Sequence, residues 1–136
     1  MVFGTFDILH PGHLYFFTQA KKYGQKLIVV VGRDLTSANI KKRTPRYNER
    51  DRLLMVKSLK IVDRAVLGHP KDRRQPIKKW RPNVVCLGYD QDISPATLKN
   101  WLKTIKSNAR VVKLKAFKPA SYKSSKLAVR LSAANR

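Results

Sequence analysis

A chain of 136 residues with 43% hydrophobic and 9% aromatic side chains can bury one core and is not a disordered tail. Its single cysteine, Cys86, excludes intramolecular disulfides and cysteine-rich zinc sites, and its longest aliphatic run, Leu27 to Val31, is too short to span a bilayer. Thirty Lys and Arg against eight Asp and Glu give a formal net charge of +22, a field that attracts nucleic acid, nucleotides, anionic lipid or phosphorylated metabolites.

Val2-Phe3-Gly4-Thr5 reads as a short first strand running into a phosphate-type loop. Gly12 to Tyr23 follows with helical spacing, Leu14, Phe17 and Ala20 falling on one side and Gly24 acting as a stop. Lys26 to Gly32 is a continuous β-branched run, the pattern of a strand covered on both faces. The polar, basic stretch Arg33 to Pro45 is expected to be a loop. Asn48 to Asp51 opens a second helix, with Leu53, Leu54, Val56 and Leu59 as its apolar face.

Arg64 to Gly68 is a third strand, and Asp72 to Lys79 a helix weakened by Pro76. Asn83 to Gly88 is a fourth strand. Pro95 suits the first turn of a helix over Ala96 to Lys106. Arg110 to Leu114 is a fifth strand, and Ser124 to Ala134 the last helix. This alternation predicts a doubly wound, Rossmann-like α/β fold of about five parallel strands, one domain over residues 1–136. No charged-then-apolar leader with a cleavage site is visible, so a soluble cytoplasmic protein without a membrane partner is expected.

In such folds ligands gather at the carboxyl ends of the strands. The features to examine are therefore Gly4 to His13, Arg33 to Arg46, Gly88 to Gln91 and Ala116 to Ser125. The first is the strongest. Gly4 permits close approach of a ligand to the backbone, and Gly12 opens a helix without a blocking side chain. His10 and His13 flank that helix start, so amides, a positive dipole end and two imidazoles converge where a polyphosphate could be attacked. A metal pair is the competing reading of the two histidines, but the only other histidine, His69, offers no obvious third ligand.

Gly4-Thr5-Phe6-Asp7-Ile8-Leu9-His10-Pro11-Gly12-His13 resembles, without a gap, the opening signature of the HxGH nucleotidyltransferases, the cytidylyltransferase-like superfamily. Within it, Arg64 to Gly68, Leu87 to Gln91 and Phe117 to Ser125 look like the archaeal FAD synthases, which are FMN adenylyltransferases. Glycerol-3-phosphate cytidylyltransferases carry a tryptophan-bearing segment after strand four and an arginine-containing one before the last helix, and neither is present here. The resemblance implies transfer of AMP from ATP to FMN, giving FAD and pyrophosphate, with Mg²⁺ held through phosphates and by no protein ligand directly. It also implies roles for residues. Thr5, Phe6, Pro11 and Gly12 would shape and contact the nucleotide, and His10 and His13 would hold its phosphates as catalytic groups. Lys42 or a neighbour would neutralise the leaving pyrophosphate. Asp90 would accept hydrogen bonds from ribose or adenine, Phe117 would stack where relatives have tyrosine, and Ser124 and Ser125 would face phosphate. A homodimer is a family-level expectation.

Two departures stand beside the match: the tyrosine replaced by Phe117, and only Met1, Val2 and Phe3 before Gly4, where relatives have several more residues. Two alternatives remain. One is a CTP-dependent cytidylyltransferase acting on a small phosphorylated alcohol such as glycerol 3-phosphate; the other is a basic nucleic-acid-binding protein on the same fold. Weak, non-specific nucleic-acid binding is expected whatever the function, because counterion release rewards any basic surface. Asp7 is expected to bond loop amides, Cys86 to be a core residue, and Trp80 and Trp101 to pack.

Overall fold

Alternation along the strands divides the hydrophobic residues between two cores on opposite faces of one sheet. The computed structural model describes residues 1–118, 121 and 124–134, the side chains at 124, 125, 128 and 131 excepted. Five parallel strands form the sheet: β1 (Val2–Gly4), β2 (Ile28–Val31), β3 (Arg64–Leu67), β4 (Val84–Leu87) and β5 (Arg110–Lys113), in the order β3-β2-β1-β4-β5. Helices α1 (Pro11–Lys21), α2 (Asp34–Lys41), α3 (Glu49–Lys57), α4 (Gln75–Trp80), α5 (Pro95–Thr104) and α6 (Ser124–Ala134) intervene.

Because side chains alternate across a strand, Val29 and Val31 join Val2, Cys86, Phe17 of α1 and Val56 of α3 in one core. Val30, Val85 and Leu87 point the other way, to Ile77 of α4 and Leu98 and Leu102 of α5. Fully burying each such valine or leucine is worth about 1.5–3 kcal/mol, which explains why these positions are aliphatic. Trp80 and Trp101 pack at the margin of the second core, and Cys86 is a buried free thiol.

The first strand is short but central, and its ladder extends past its end: Met1 N donates to Val84 O at 2.7 Å, and Cys86 N donates to Met1 O at 2.9 Å. Strand order reverses between β1 and β4, so the chain leaves β1 toward β2 on one side and returns to β4 on the other. That reversal opens a crevice above the carboxyl end of β1. The loop expected over Arg33 to Pro45 instead contains α2. Glu49 accepts from the Asp34 amide at 2.9 Å and so caps this helix from another element, a bond that no local pattern reveals. On α3, Leu54 is exposed and Arg52 is buried, the reverse of what apolar spacing predicts.

Candidate active site

The loop after β1 turns sharply at Phe6, whose φ of 52° lies in the left-handed region. The turn folds the Phe6 ring back over Gly4, where a Cβ would stand 2.5 Å from the ring. Glycine at position 4 is therefore a steric requirement. Phe6 is 5% exposed and meets the edge of His13, ring centroids 5.3 Å apart at 79°. Its side chain acts as a base plate for the histidine.

His10 caps α1 with its own ring: Nδ1 accepts from the Gly12 amide at 3.1 Å. Neutral His10 thus carries its proton on Nε2. The His13 amide donates to His10 O at 2.9 Å. The first amides of the helix are consumed within the turn, so α1 offers a phosphate its dipole more than open N–H groups. The two imidazoles stack 3.8 Å apart at 25°. Burial holds the His10 pKa below the ordinary value; Asp90 opposes that shift and Lys41 adds to it. Burial, then His10, then Lys41 lower His13 to about 3. His13 Nδ1 is buried with no hydrogen-bond partner among the described residues.

Arg52 holds the loops in place. Fully buried, its guanidinium donates to Thr5 O at 2.6 Å, Gly32 O at 2.8 Å and Tyr47 O at 3.0 Å, and pairs with Asp34 at 2.7 Å. One side chain therefore ties the ends of β1 and β2 to the segment entering α3. Asp7 completes the tie by accepting from the amides of Arg46 and Tyr47 at 2.9 and 3.0 Å, the structural role expected of it. A charged residue four positions before Val56, on the buried face of a helix, was the sequence signal for Arg52.

These parts enclose a cleft of about 490 Å³. Thr5, Phe6, His10, Gly12, His13, Asp90 and Phe117 all line it. Phe117 stacks on Tyr15 with centroids 4.9 Å apart at 25°. Pro11 is the first residue of α1 and shapes the turn. Lys42 caps α2 in a left-handed conformation, φ 56°, while its neighbours Lys41 and Arg43 line the cleft and it does not. Ser124 and Ser125 begin α6, but their side chains lie outside the described residues. Pro119, Ala120, Tyr122 and Lys123 of the segment singled out before that helix lie outside them as well.

Sequence reasoning passed over the end of β3, where Gly68 and His69 also line the cleft; within the segment Arg33 to Arg46 that it singled out, Thr36, Ser37 and Ile40 of α2 line it too. The strand order put them there: β3 lies beside β2 and so borders the crevice. What the arrangement can do is hold a polyanion at the start of α1, with room on both sides of it.

The chain matches the cytidylyltransferase-like family model over residues 1–130. It is 46% identical over 111 residues to the FAD synthase of Methanohalophilus mahii, covering 82% of this chain and 77% of that protein. With the FAD synthase of Thermoplasma acidophilum it shares 41% over 117 residues, 86% of this chain and 82% of the other. A crystal structure described as the lipopolysaccharide core biosynthesis protein of Thermoplasma volcanium GSS1 superposes with a TM-score of 0.83 at 36% identity, covering 87% of this chain and 96% of that one.

Proposed function

We infer that this chain, which belongs to the cytidylyltransferase-like family, transfers the AMP moiety of ATP to FMN, giving FAD and pyrophosphate. The observation that carries this is the set of archaeal relatives named FAD synthase, 38–46% identical over most of the chain. An oxygen of the FMN phosphate forms a bond to the α-phosphorus of ATP. The bond from that phosphorus to the oxygen bridging to the β-phosphate breaks, and pyrophosphate leaves in line.

Little covalent chemistry is asked of the protein; positioning and charge stabilisation supply the rate. His10 and His13, both neutral near pH 7, donate hydrogen bonds to phosphoryl oxygens as charge builds there, backed by the dipole of α1. The basic segment 41–43 takes the charge of the leaving pyrophosphate. We carry that role from Lys42 to Lys41 and Arg43, because those two line the cleft. Asp90 and Phe117 hold the adenosine half on the β4 and β5 side, with Thr5, Phe6, Pro11 and Gly12 shaping the seat of the α-phosphate. Ser124 and Ser125, opening α6, are assigned to phosphate by the resemblance.

Among the described residues no group of three His, Cys, Asp or Glu side chains is placed to hold a metal ion. Of the carboxylates about the cleft, Asp92 pairs with Arg73, Asp7 accepts from loop amides and Asp90, which lines the cleft, is assigned to the nucleotide. This donor set fits a Mg²⁺ that arrives on the triphosphate and keeps water as its other ligands. When bound, it neutralises phosphate charge. No helix among the described residues is long and apolar enough to cross a membrane, and dependence on ATP assigns the activity to the cytoplasm.

The test is turnover with FMN, Mg²⁺ and either ATP or CTP, with FAD and pyrophosphate as readouts. ATP is expected to support the faster reaction. Equal or faster turnover with CTP overturns the nucleotide assignment.

A further inference from the structure

We propose that the end of the sheet remote from the cleft is a docking face for single-stranded nucleic acid, usable while the nucleotide site is occupied. In a parallel α/β fold the carboxyl ends of the strands and the helix starts share one end, and the helices finish at the other. Four segments make up this far end: 21–26, 57–64, 78–81 and 103–110, where α1, α3, α4 and α5 finish and the next strand is approached. Each carries three Lys or Arg, and together they hold a single acid, Asp63. Twelve cations against one acid leave +11 there, half of the +22 of the whole chain. The other seven acids stand after strands or at helix starts, at the cleft end.

Folding does not account for this accumulation. A helix C-terminus carries about half a negative charge, so four of them offset only about two of the positive charges. Asp63 is committed to Lys21 and to the Leu27 amide. Other cations lie against rings, which hold them in place and leave them charged: Arg64 is 4.5 Å and Lys79 5.3 Å from the Trp80 centroid, and Arg110 is 5.5 Å from that of Tyr23. Two more occupy backbone positions that favour glycine. Arg81 closes α4 at φ 43° and Lys106 follows α5 at φ 53°, both left-handed, a conformation glycine adopts without steric cost. Their amides donate to Ile77 O at 2.9 Å and Lys103 O at 3.1 Å, bonds that glycine would make equally. What a lysine or arginine adds at these positions is its charge.

The chemistry selects the partner. A second copy of the chain is repelled by the same charge. A membrane surface holds a basic patch best when apolar anchors are set among the cations, and of the large apolar side chains exposed among the described residues only Tyr23 falls in these segments. The charges flank the sheet on both sides, since α1 and α3 cover one face and α4 and α5 the other. A flexible phosphate backbone can follow such a divided end, and exposed Tyr23 and half-buried Trp80 offer rings on which its bases can stack.

The experiment compares wild type with Arg81→Gly/Lys106→Gly and with Lys71→Gln/Lys113→Gln, a pair that removes equal charge from the cleft end outside the cleft lining. Binding of a labelled RNA oligonucleotide is read by anisotropy across a salt series, with and without ATP, beside melting and FAD formation. The remote pair is expected to weaken RNA binding about tenfold at low salt and to flatten the salt slope by ~0.7 for each lost phosphate contact. It is expected to melt at or above wild type and to make FAD at a rate within about twofold of it, while the cleft-end pair changes RNA binding by less than about threefold. A remote pair that melts well below wild type, or does not fold, returns these two cations to structure, and Lys26→Gln/Lys60→Gln then decides by the same readings. Equal losses from both ends would make the binding a diffuse field effect and overturn the proposal. Displacement of RNA by ATP overturns it by placing the strand in the cleft. Tighter retention on vesicles of phosphatidylserine and phosphatidylcholine than on RNA overturns it in favour of a lipid surface. None of these outcomes touches FAD synthesis, which is read separately.

Discussion

His13 holds a neutral ring against a stacked imidazole and a nearby lysine, at an unfolding cost that depends on pH. Its folded pKa is about 3, against an ordinary 6.5. Between those values the unfolded chain binds a proton there and the folded chain does not, so stability falls as pH falls through that window. One such group contributes about 1.4 kcal/mol per pH unit at most. Glu49, Asp63 and Asp72, whose pKa values hydrogen bonds and cations lower, titrate below the ordinary carboxylate range, so the interval from pH 6.5 to 5 belongs to the two stacked histidines, with His10, also lowered by burial, adding to the slope that His13 sets. His13→Gln is expected to lessen the fall of the melting temperature across that interval and to lower kcat by about two orders of magnitude, the scale of losing one preorganised donor. An unchanged slope would show that the ring is accessible to protons in the folded protein, and normal turnover would remove it from the site.

Among the elements, α3 does most to shape the cleft without lining it. Arg52 reaches from its first turns to carbonyls at the ends of β1 and β2, and Glu49 caps α2 while pairing with Arg33 at 2.9 Å. Removing the guanidinium leaves those carbonyls without a donor and Asp34 without its partner. Arg52→Met is expected to destabilise the fold by about 3–5 kcal/mol, as the loss of one member of a buried ionic network does. Arg52→Lys keeps the charge but cannot span the carbonyls as a fork does, so it recovers only part. Urea midpoints measure the first effect. ATP affinity of the lysine variant reports the second, since the β1–α1 loop loosens before the sheet does. A methionine variant as stable as wild type would show that this tie is dispensable.

For the whole molecule the question is what a charge of +22 does around a cleft built for phosphates. Asp34, Glu49, Asp63, Asp72 and Asp92 are paired with arginine or lysine, and no acid follows Asp92, so the basic charge beyond that residue has no acidic counterpart in its own stretch of sequence. Duplex DNA or RNA is expected to bind at low salt without sequence preference and to fade steeply as salt approaches the physiological range, because each neutralised phosphate releases counterions. ATP affinity is expected to fall less over the same series, since stacking and a half-enclosed phosphate seat do not depend on counterions. A nucleic acid that stays tightly bound at physiological salt, with ATP released, would make the basic surface the function.

The strands, the layers and the central motif were legible in the residues, because each is a local pattern: β-branched runs for buried strands, Gly4 to His13 for the turn into α1, Ser124 to Ala134 for the last helix. It also made Asp7 and Cys86 structural, by residue type alone. The rest came from contacts between segments far apart in the chain. α2 is a helix because Glu49, fifteen residues on, caps it. Arg52 is buried because three carbonyls from separate segments converge on it, and no spacing rule records a convergence. Lys41 and Arg43 face the cleft because Lys42 takes the left-handed turn between them. Gly68 and His69 reach the cleft because strand order seats β3 beside β2, and strand order is set by how crossovers pack across both faces of the sheet, an outcome of the whole chain at once.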